Sequence, residues 1–368
     1  MRQGFLRMTI IGLGLIGSSI ARAADERKLA ETIIGYDSDA TSLAYAKREG
    51  FIDIATSSLQ EAVKNSELII LATPPSTLGE IAAAIAPHLQ KNAIVMDVAS
   101  VKQPAIDAIA PHIPQGVYFI PAHPIAGSEQ SGTQAGRADL FEHKRVIVTP
   151  EAPEMTDALR QAMRFWQALG AQVEAMPAEA HDVVYAYVSH LPQLLAFSLA
   201  AILAPFRDSP SESFQKFTRL GGSSPRLWTD IFILNKNNII SALDRYLDVI
   251  SHIQSELKTA PEPPAEITDP AAVYTALFPR IAASCLITTV MEAEKKSGFS
   301  FARFTGNGFA DFTYPATLPP DADIERISGQ YQAMASLLNE YTYALGKLQA
   351  AILAGDAELL KKALGLLS

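Results

Sequence analysis

The feature that most constrains this chain is a glycine string, Gly12-x-Gly14-x-x-Gly17, that follows the apolar run Met8–Ile11. The apolar run predicts a strand, and residues 15–24 predict a helix that leaves the turn. The first glycine permits a tight turn, the second lets a ligand approach the backbone, and the third lets the helix pack on the strand. The free N–H groups at the start of that helix favour a phosphate. The string therefore predicts a dinucleotide-binding βαβ unit.

A carboxylate stands where such a unit binds ribose. A second apolar run, Thr32–Tyr36, ends at Asp37, twenty residues after Gly17. An acid at this position accepts hydrogen bonds from the ribose hydroxyls of NAD and repels a 2′-phosphate. No arginine follows Asp37 closely, so NAD is favoured over NADP.

Two other interpretations of the N-terminal region are open. Arg2 and Arg7 flank apolar residues and Ala21-Arg22-Ala23 is similar to a cleavage site, as in a secretory signal peptide. A glycine turn can also exist without any ligand. The strand–turn–helix context and the correctly placed Asp37 favour the nucleotide site over both.

Composition excludes several classes of protein. The 368 residues suffice for two or three domains, and the formal net charge of −9 without a Lys/Arg run predicts no nucleic-acid partner. The longest apolar stretches, residues 191–206 and 281–290, are shorter than the roughly 20 residues of a membrane span, so no membrane partner is expected. A single cysteine, Cys285, predicts a reducing, cytoplasmic location. No residues have metal-ligand spacing, so no metal is expected.

Strands and helices alternate up to about residue 177, which predicts a Rossmann-type, doubly wound and mainly parallel sheet over residues 1–177. Thr73 and Pro74 end one of these strands at the edge where the cofactor is expected. The predicted strands are Met8–Ile11, Thr32–Tyr36, Leu68–Ala72, Ala93–Val98, Val117–Pro121, Arg145–Thr149 and Gln172–Ala175.

The rest of the chain is predicted to be all-α, with a helical domain at 178–258, a linker at 259–274 and a second helical segment at 275–368. The two segments match without gaps at an offset of 95 residues, which predicts an internal duplication of 180–258. Chance similarity between apolar helices is the alternative. The matching positions include Phe217-Thr218 with Phe312-Thr313, Ser189 with Ser284, Ala242-Leu243 with Leu337-Leu338, and Ile253-Gln254 with Leu348-Gln349.

Polar residues follow two later strands of the predicted sheet. Asp97, Ser100 and Lys102 come after one of them, and His123 after the next. A histidine at the cofactor edge has the pKa range that suits a general base. In isolation His123 would be a structural loop residue, and Ser100 a helix cap with Lys102 as a solvated neighbour. The histidines predicted to be structural are His88, His112, His143, His181 and His252.

Longer strings surround these residues: Asp97-x-x-Ser100-Val-Lys102, His123-Pro-Ile-Ala-Gly127-Ser-Glu129, Asp139-Leu-Phe141, Val188-Ser-His190-Leu-Pro192, Phe217-Thr-Arg219 and Trp228-x-Asp230-Ile-Phe232. Together they resemble the prephenate/arogenate (cyclohexadienyl) dehydrogenase family of tyrosine biosynthesis, over residues 8 to about 257. The resemblance implies a 6-phosphogluconate-dehydrogenase-like architecture. It also implies NAD(P)-dependent oxidation of a cyclohexadienol ring with loss of CO2.

The resemblance assigns roles to individual residues. His123 is the expected base, Ser100 bonds the ring hydroxyl or the nicotinamide amide, and Arg219 clamps a substrate carboxylate. Without the resemblance, Arg219 would be an ordinary surface arginine and His190 a core histidine. The expected substrate-binding residues are Arg219, His190, Ser189, Gln193 and Gly127. The expected cofactor-binding residues are Gly12, Gly14, Leu15, Ile16, Gly17, Asp37, Thr73, Pro74 and Ser100.

Two departures leave the choice between prephenate and arogenate open. Gln193 stands where the family often has a second histidine, and Lys216 where it often has an acid. Family members are typically dimers with interlocked helical domains, so we expect a homodimer or an intramolecular pseudo-dimer in which 275–353 packs against 180–258. Another 3-hydroxyacid-type dehydrogenase on the same scaffold and an inactive NAD-binding regulator are the rival functions.

Overall fold

The computed structural model describes residues 4–127, 130–151, 156–206, 212–259, 273–317 and 331–367. Its contacts divide the chain into two compact units, Met1–Asp182 and Val183–Ser368. Ser128 and Glu129 of the histidine string, and all but the ends of the predicted linker, lie outside the described residues. The boundaries proposed from the sequence, at 177 and 258, remain predictions.

The first unit is built on a six-stranded sheet in the order β3-β2-β1-β4-β5-β6, with every neighbouring pair parallel. The order reverses beside β1, which places a ligand crevice outside the carboxyl ends of β1 and β4. The strands are β1 (Phe5–Ile11), β2 (Ala30–Tyr36), β3 (Ile54–Thr56), β4 (Leu68–Leu71), β5 (Ile94–Asp97) and β6 (Tyr118–Phe119). The helices of this unit are α1 (Leu15–Glu26), α2 (Ala40–Arg48), α3 (Leu59–Val63), α4 (Leu78–Ile85), α5 (Gln103–Ile109) and α6 (Asp157–Ala168).

Both faces of this sheet are covered, which explains why its central strands are continuous apolar runs. In β4 the side chain of Ile70 belongs to a core that includes Trp166 of α6, while Ile69 belongs to the opposite core with Leu78 of α4. Successive strand residues point to opposite faces, so one four-residue strand supplies both layers.

Three further strands form a separate sheet, which the single-sheet prediction did not include. In it β7 (Ala122–Pro124) pairs antiparallel with β8 (Arg145–Val148), and β8 pairs parallel with β9 (Gln172–Ala175). His123 was expected to follow a strand, but it lies within β7, opposite Ile147. Pro121 has no amide hydrogen, so the β6 pairing stops there and the chain crosses to the second sheet. The short strands β3 and β7 were not predicted.

The described residues of the second unit form helices and the short loops that connect them. A helix at Ala178–Ile202 consists of α7 (Ala178–Tyr185), a π-helical turn (Ala186–His190) and α8 (Leu191–Ile202). A second π-helical turn (Val273–Leu277) leads into α12 (Phe278–Ser297). The remaining helices are α9 (Glu212–Gly221), α10 (Pro225–Leu234), α11 (Lys236–Thr259), α13 (Asn307–Thr317), α14 (Tyr331–Ala354) and α15 (Ala357–Leu367).

Two helices, Ala178–Ile202 and Val273–Ser297, are longer than the apolar stretches suggested and could span a membrane by length and composition. Their most apolar windows are 83% and 65% buried inside the structure. Burial of this kind is typical of core helices, so their apolar character is weak support for a membrane span.

Candidate active site

Backbone packing requires two of the three glycines in the first turn, while the third faces open space. Gly12 has φ +94°, and a Cβ added there would lie 2.6 Å from the carbonyl oxygen of Ala72. A Cβ added at Gly17 would lie 1.9 Å from the carbonyl oxygen of Gly12. A Cβ at Gly14 would meet no atom within 4 Å. Gly14 precedes α1 without a side-chain cap, so the turn fits a pyrophosphate on the helix N-terminus.

Asp37 is held against this turn. One carboxylate oxygen accepts the backbone N–H of Leu13 at 2.7 Å, and the other accepts that of Asp39 at 2.9 Å. Asp37 is half-buried at the end of β2, and Leu15 and Ile16 begin α1 beside it. A fixed carboxylate at this edge fits the adenosine ribose of NAD.

Residues 133–137, to which the sequence analysis gave no role, contact both the glycine turn and α1. The hydroxyl of Thr133 donates to the carbonyl of Leu13 at 2.6 Å, and the N–H of Arg137 donates to the hydroxyl of Ser19 at 3.0 Å. A Cβ added at Gly136 would lie 2.2 Å from Oγ of Ser18. Residues 133–137 thus lie directly on α1 and hold the helix that follows the glycine turn. Their spacing matches no motif that would have revealed this role.

Thr73 and Pro74 lie in the loop after β4, separated from the strand by Ala72. A Cβ added at Gly12 would lie 2.9 Å from the Thr73 methyl group, so the two loops touch. The hydroxyl of Thr77 donates to that of Thr73 at 3.0 Å. These contacts place Thr73 at the crevice between β1 and β4.

The interpretation of Lys102 as a solvated neighbour of Ser100 is wrong. Lys102 and Asp97 are fully buried and form an ion pair, and the Lys102 ammonium also donates to the carbonyl of Ala122. Burial raises the pKa of the Asp97 carboxyl and lowers the pKa of Lys102, against the attraction between the two charges. Through its bond to Ala122, Lys102 connects the loop after β5 to β7. Ser100, which stands between Asp97 and Lys102 in the sequence, is half-buried.

His123 belongs to a chain of three buried side chains. Its Nδ1 lies 2.8 Å from Nε2 of His181, and Nδ1 of His181 lies 2.8 Å from Oδ1 of Asp182. The Asp182 carboxylate also accepts the backbone N–H groups of Lys102 and Gln103, at 2.7 and 2.9 Å. His181 was predicted to be structural, and the acid beside it in the sequence does not distinguish it, because His143 also neighbours an acid, Glu142.

The acid at the end of this chain determines where the protons lie. A carboxylate only accepts hydrogen bonds, so Nδ1 of His181 donates to Asp182 and Nε2 of His181 is an acceptor. Nδ1 of His123 therefore donates to His181, and the lone pair of His123 is on Nε2. In this tautomer Nε2 of His123 can accept a proton, as a general base must. The Asp182 carboxylate stabilises the positive charge that the His123 imidazole then gains.

The second unit carries the other expected site residues. His190 and Ser189 lie in the first π-helical turn, and His190 is buried at its end. Nδ1 of His190 lies 3.1 Å from the side-chain amide of Asn235, and the His190 ring is edge-on to the ring of Trp228. The amide of Gln193 donates to the carbonyl of Leu220 at 2.6 Å.

Arg219 lies on α9 and forms an ion pair with Asp311. The Arg219 side chain is 45% exposed, so a ligand can reach the guanidinium. In the first unit, Gly127 is exposed just after β7.

The first unit has a Rossmann-type sheet, a glycine turn with an acid held against it, and a histidine whose tautomer is fixed by its neighbours; a helical unit follows. These features define the class of NAD-dependent dehydrogenases. The family model of the prephenate dehydrogenase nucleotide-binding domain matches residues 20–175, and that of the prephenate dehydrogenase dimerization domain matches residues 177–268. The chain belongs to the prephenate dehydrogenase family.

Individual relatives agree with this assignment. The chain is 34% identical to the cyclohexadienyl dehydrogenase of Zymomonas mobilis over 261 residues, which cover 69% of this chain and 89% of that protein. It is 32% identical to the prephenate dehydrogenase of Bacillus subtilis over 254 residues, 67% of this chain and 68% of that protein. The crystal structure of A. aeolicus prephenate dehydrogenase with hydroxyphenyl propionate and NAD+ has a TM-score of 0.64 at 29% identity, covering 81% of this chain and 98% of that chain.

The comparisons confirm the predicted family, the Rossmann-plus-helical fold class and NAD as the cofactor. Dimerisation is a property of the helical family domain, while the internal duplication and the individual site residues stay predictions.

Proposed function

We propose that this protein catalyses the NAD-dependent oxidative decarboxylation of prephenate to 4-hydroxyphenylpyruvate, of arogenate to tyrosine, or of both. The observation that carries the proposal is the His123–His181–Asp182 chain, because it fixes the base tautomer of His123 in the unit that holds the nucleotide turn. The A. aeolicus relative binds a hydroxyphenyl ligand together with NAD+, which supports a ring hydroxyl as the group that reacts.

NAD, when bound, would supply the hydride acceptor for the ring carbon that bears the hydroxyl. Nε2 of His123 accepts a hydrogen bond from that hydroxyl and takes its proton as the carbon is oxidised. The positive charge that develops on His123 is stabilised through His181 by the Asp182 carboxylate. The bond to the ring carboxylate then breaks and CO2 leaves. The electron pair of that bond completes the aromatic ring and turns the ring carbonyl into a phenolate, which takes back the proton from Nε2 of His123. Aromatisation drives this step, so no separate acid is needed.

The remaining residues bind and orient. Gly12, Gly14, Leu15, Ile16 and Gly17 hold the pyrophosphate, Asp37 the ribose, and Thr73, Pro74 and Ser100 the nicotinamide end of the cofactor. Arg219 pairs with a substrate carboxylate, since a planar guanidinium suits two-point binding of a carboxylate. His190, Ser189, Gln193 and Gly127 complete the substrate-binding set.

We assign the chain to the cytoplasm, because its single cysteine cannot form an intrachain disulfide and fits a reducing compartment. We retain a nucleotide-binding domain at 1–177 and a helical dimerisation-type domain from 178. The active assembly is a homodimer or a pseudo-dimer formed by one chain.

The test follows NADH absorbance at 340 nm with prephenate and, in parallel, with arogenate. The wild-type chain reduces NAD with at least one substrate. His123→Asn lowers kcat by about 10²- to 10⁴-fold, the range of a general base, and leaves the Kd for NAD nearly unchanged. The exposed His112→Asn is the matched control. A wild-type chain that oxidises neither substrate overturns the proposed reaction, and a loss of kcat below about tenfold overturns the role of His123.

A further inference from the structure

Three helices within residues 273–354 correspond to three helices within residues 178–259 at an offset of 95 residues. The helix Ala178–Ile202 corresponds to Val273–Ser297, with both ends at the same offset. The bounds of α11 and α14 also correspond at both ends, and those of α9 and α13 agree to within one residue. The family models end at residue 268, so the second set of helices lies outside the matched domain.

The contacts between α11 and α14 are reciprocal. The amide of Gln254 donates to Asn339 at 3.0 Å, and the amide of Gln349 donates to Asp244 at 2.6 Å. At the 95-residue offset, Gln254 corresponds to Gln349 and Asp244 to Asn339. Each contact is therefore the image of the other, which is the signature of a two-fold interface.

A pair of corresponding residues meets between these two contacts. Tyr246 and Tyr341 are 95 positions apart, both are fully buried, and their hydroxyls lie 3.3 Å from each other. A residue touches its own image only at a two-fold axis, so the two tyrosines mark the position of that axis.

The same relation holds between α9 and α13. Arg219 forms an ion pair with Asp311, while the ammonium of Lys216 lies 3.3 Å from the centre of the Tyr314 ring. Lys216 corresponds to Asp311, and Arg219 to Tyr314. One contact is thus a guanidinium–carboxylate pair, and its image is an ammonium over an aromatic ring. Because Tyr314 replaces the arginine, the second position has no guanidinium for two-point binding of a carboxylate.

We propose that residues 273–354 are a second copy of 178–259, fused into the chain in place of a partner subunit, and that they complete one substrate-binding position by supplying Asp311 to Arg219. The image position, with Lys216 and Tyr314, no longer binds substrate. A symmetric dimer must carry any substitution in both subunits, whereas a fused copy is free to lose one of the two positions. The substrate role of Arg219 rests on the proposed function.

Asp311 acts through Arg219 as a positioning residue. The Asp311 side chain is 17% exposed, so its carboxylate is more sheltered than the guanidinium that it holds. The ion pair with Asp311 holds the guanidinium in one orientation, which lowers the entropy that substrate binding must remove. The effect belongs to substrate binding and not to the hydride step, so it changes KM.

The first measurement is sedimentation equilibrium of the full chain at micromolar concentrations. We expect the mass of one chain, 39.6 kDa. A stable two-chain mass overturns the replacement of a partner subunit. This result does not depend on activity, so it decides the question even if neither prephenate nor arogenate is oxidised.

The second measurement compares Asp311→Asn, Asp311→Glu and Lys216→Gln, each with a thermal midpoint checked against wild type. Asp311→Asn raises the substrate KM about tenfold with kcat nearly unchanged, and Asp311→Glu restores part of the loss. Lys216→Gln, the matched change at the image position, leaves KM unchanged. An unchanged or lower KM for Asp311→Asn, or an equal effect of Lys216→Gln, overturns the assignment of a single complete position.

Discussion

His181 offers the sharpest test of the catalytic geometry, because it touches the base without reaching the substrate in the proposed mechanism. In His181→Asn the Nδ1–H of His123 loses its acceptor at 2.8 Å, and both side chains are buried. A buried donor left without a partner costs about 1–3 kcal/mol. At about 1.4 kcal/mol per tenfold in rate, kcat falls about 5- to 150-fold. This loss is smaller than that of His123→Asn, since the base itself remains.

The assay is kcat from NADH absorbance for wild type, each single variant and the double variant, with the Kd for NAD measured by fluorescence. Residues that act as one unit are not additive, so His123→Asn with His181→Asn loses no more activity than His123→Asn alone. A kcat for His181→Asn within twofold of wild type, or additive losses in the double variant, refutes the relay.

Three further outcomes follow from the structure. Asp37→Ser combined with Ser38→Arg shifts the kcat/KM ratio toward NADP, because it removes a repelling carboxylate and adds a partner for the 2′-phosphate; a persistent NAD preference contradicts the role of Asp37. Lys102→Met lowers the free energy of unfolding by about 3–5 kcal/mol in urea titration, because it strands the buried Asp97 charge, and Asp97→Leu in the same chain recovers most of the loss. Cys285 does not react with a thiol reagent in the native protein and reacts fully in denaturant, because burial raises its pKa to about 12.

The nucleotide turn was predictable because its determinants are local. Gly17 packs on the carbonyl of Gly12 within the turn itself, Gly12 has a positive φ and packs on Ala72 after β4, and Asp37 follows the second strand at the expected distance. The central strands were also predictable, because a strand that is buried on both faces is a continuous run of apolar residues. The strand at 54–56 escaped because it has three residues, and the one at 122–124 because a proline bounds it.

The relay and the buried ion pair were not predictable for a different reason. His181 meets His123 across 58 positions. Lys102 finds its acid only five positions away, but the carbonyl of Ala122 and the burial of the pair come from packing of distant segments. A lysine in a polar string is usually solvated, and nothing local marks this one as buried. Such contacts depend on tertiary structure, which a single sequence without aligned relatives does not reveal.

The Asp182 carboxylate has a consequence for hydrogen exchange. It accepts the amide protons of Lys102 and Gln103 and also holds His181. Any opening that lets these two amides exchange with solvent releases the carboxylate and disorders the relay in the same event. Deuterium uptake at residues 102–103 therefore reports how often the resting enzyme visits a state in which its base is misaligned.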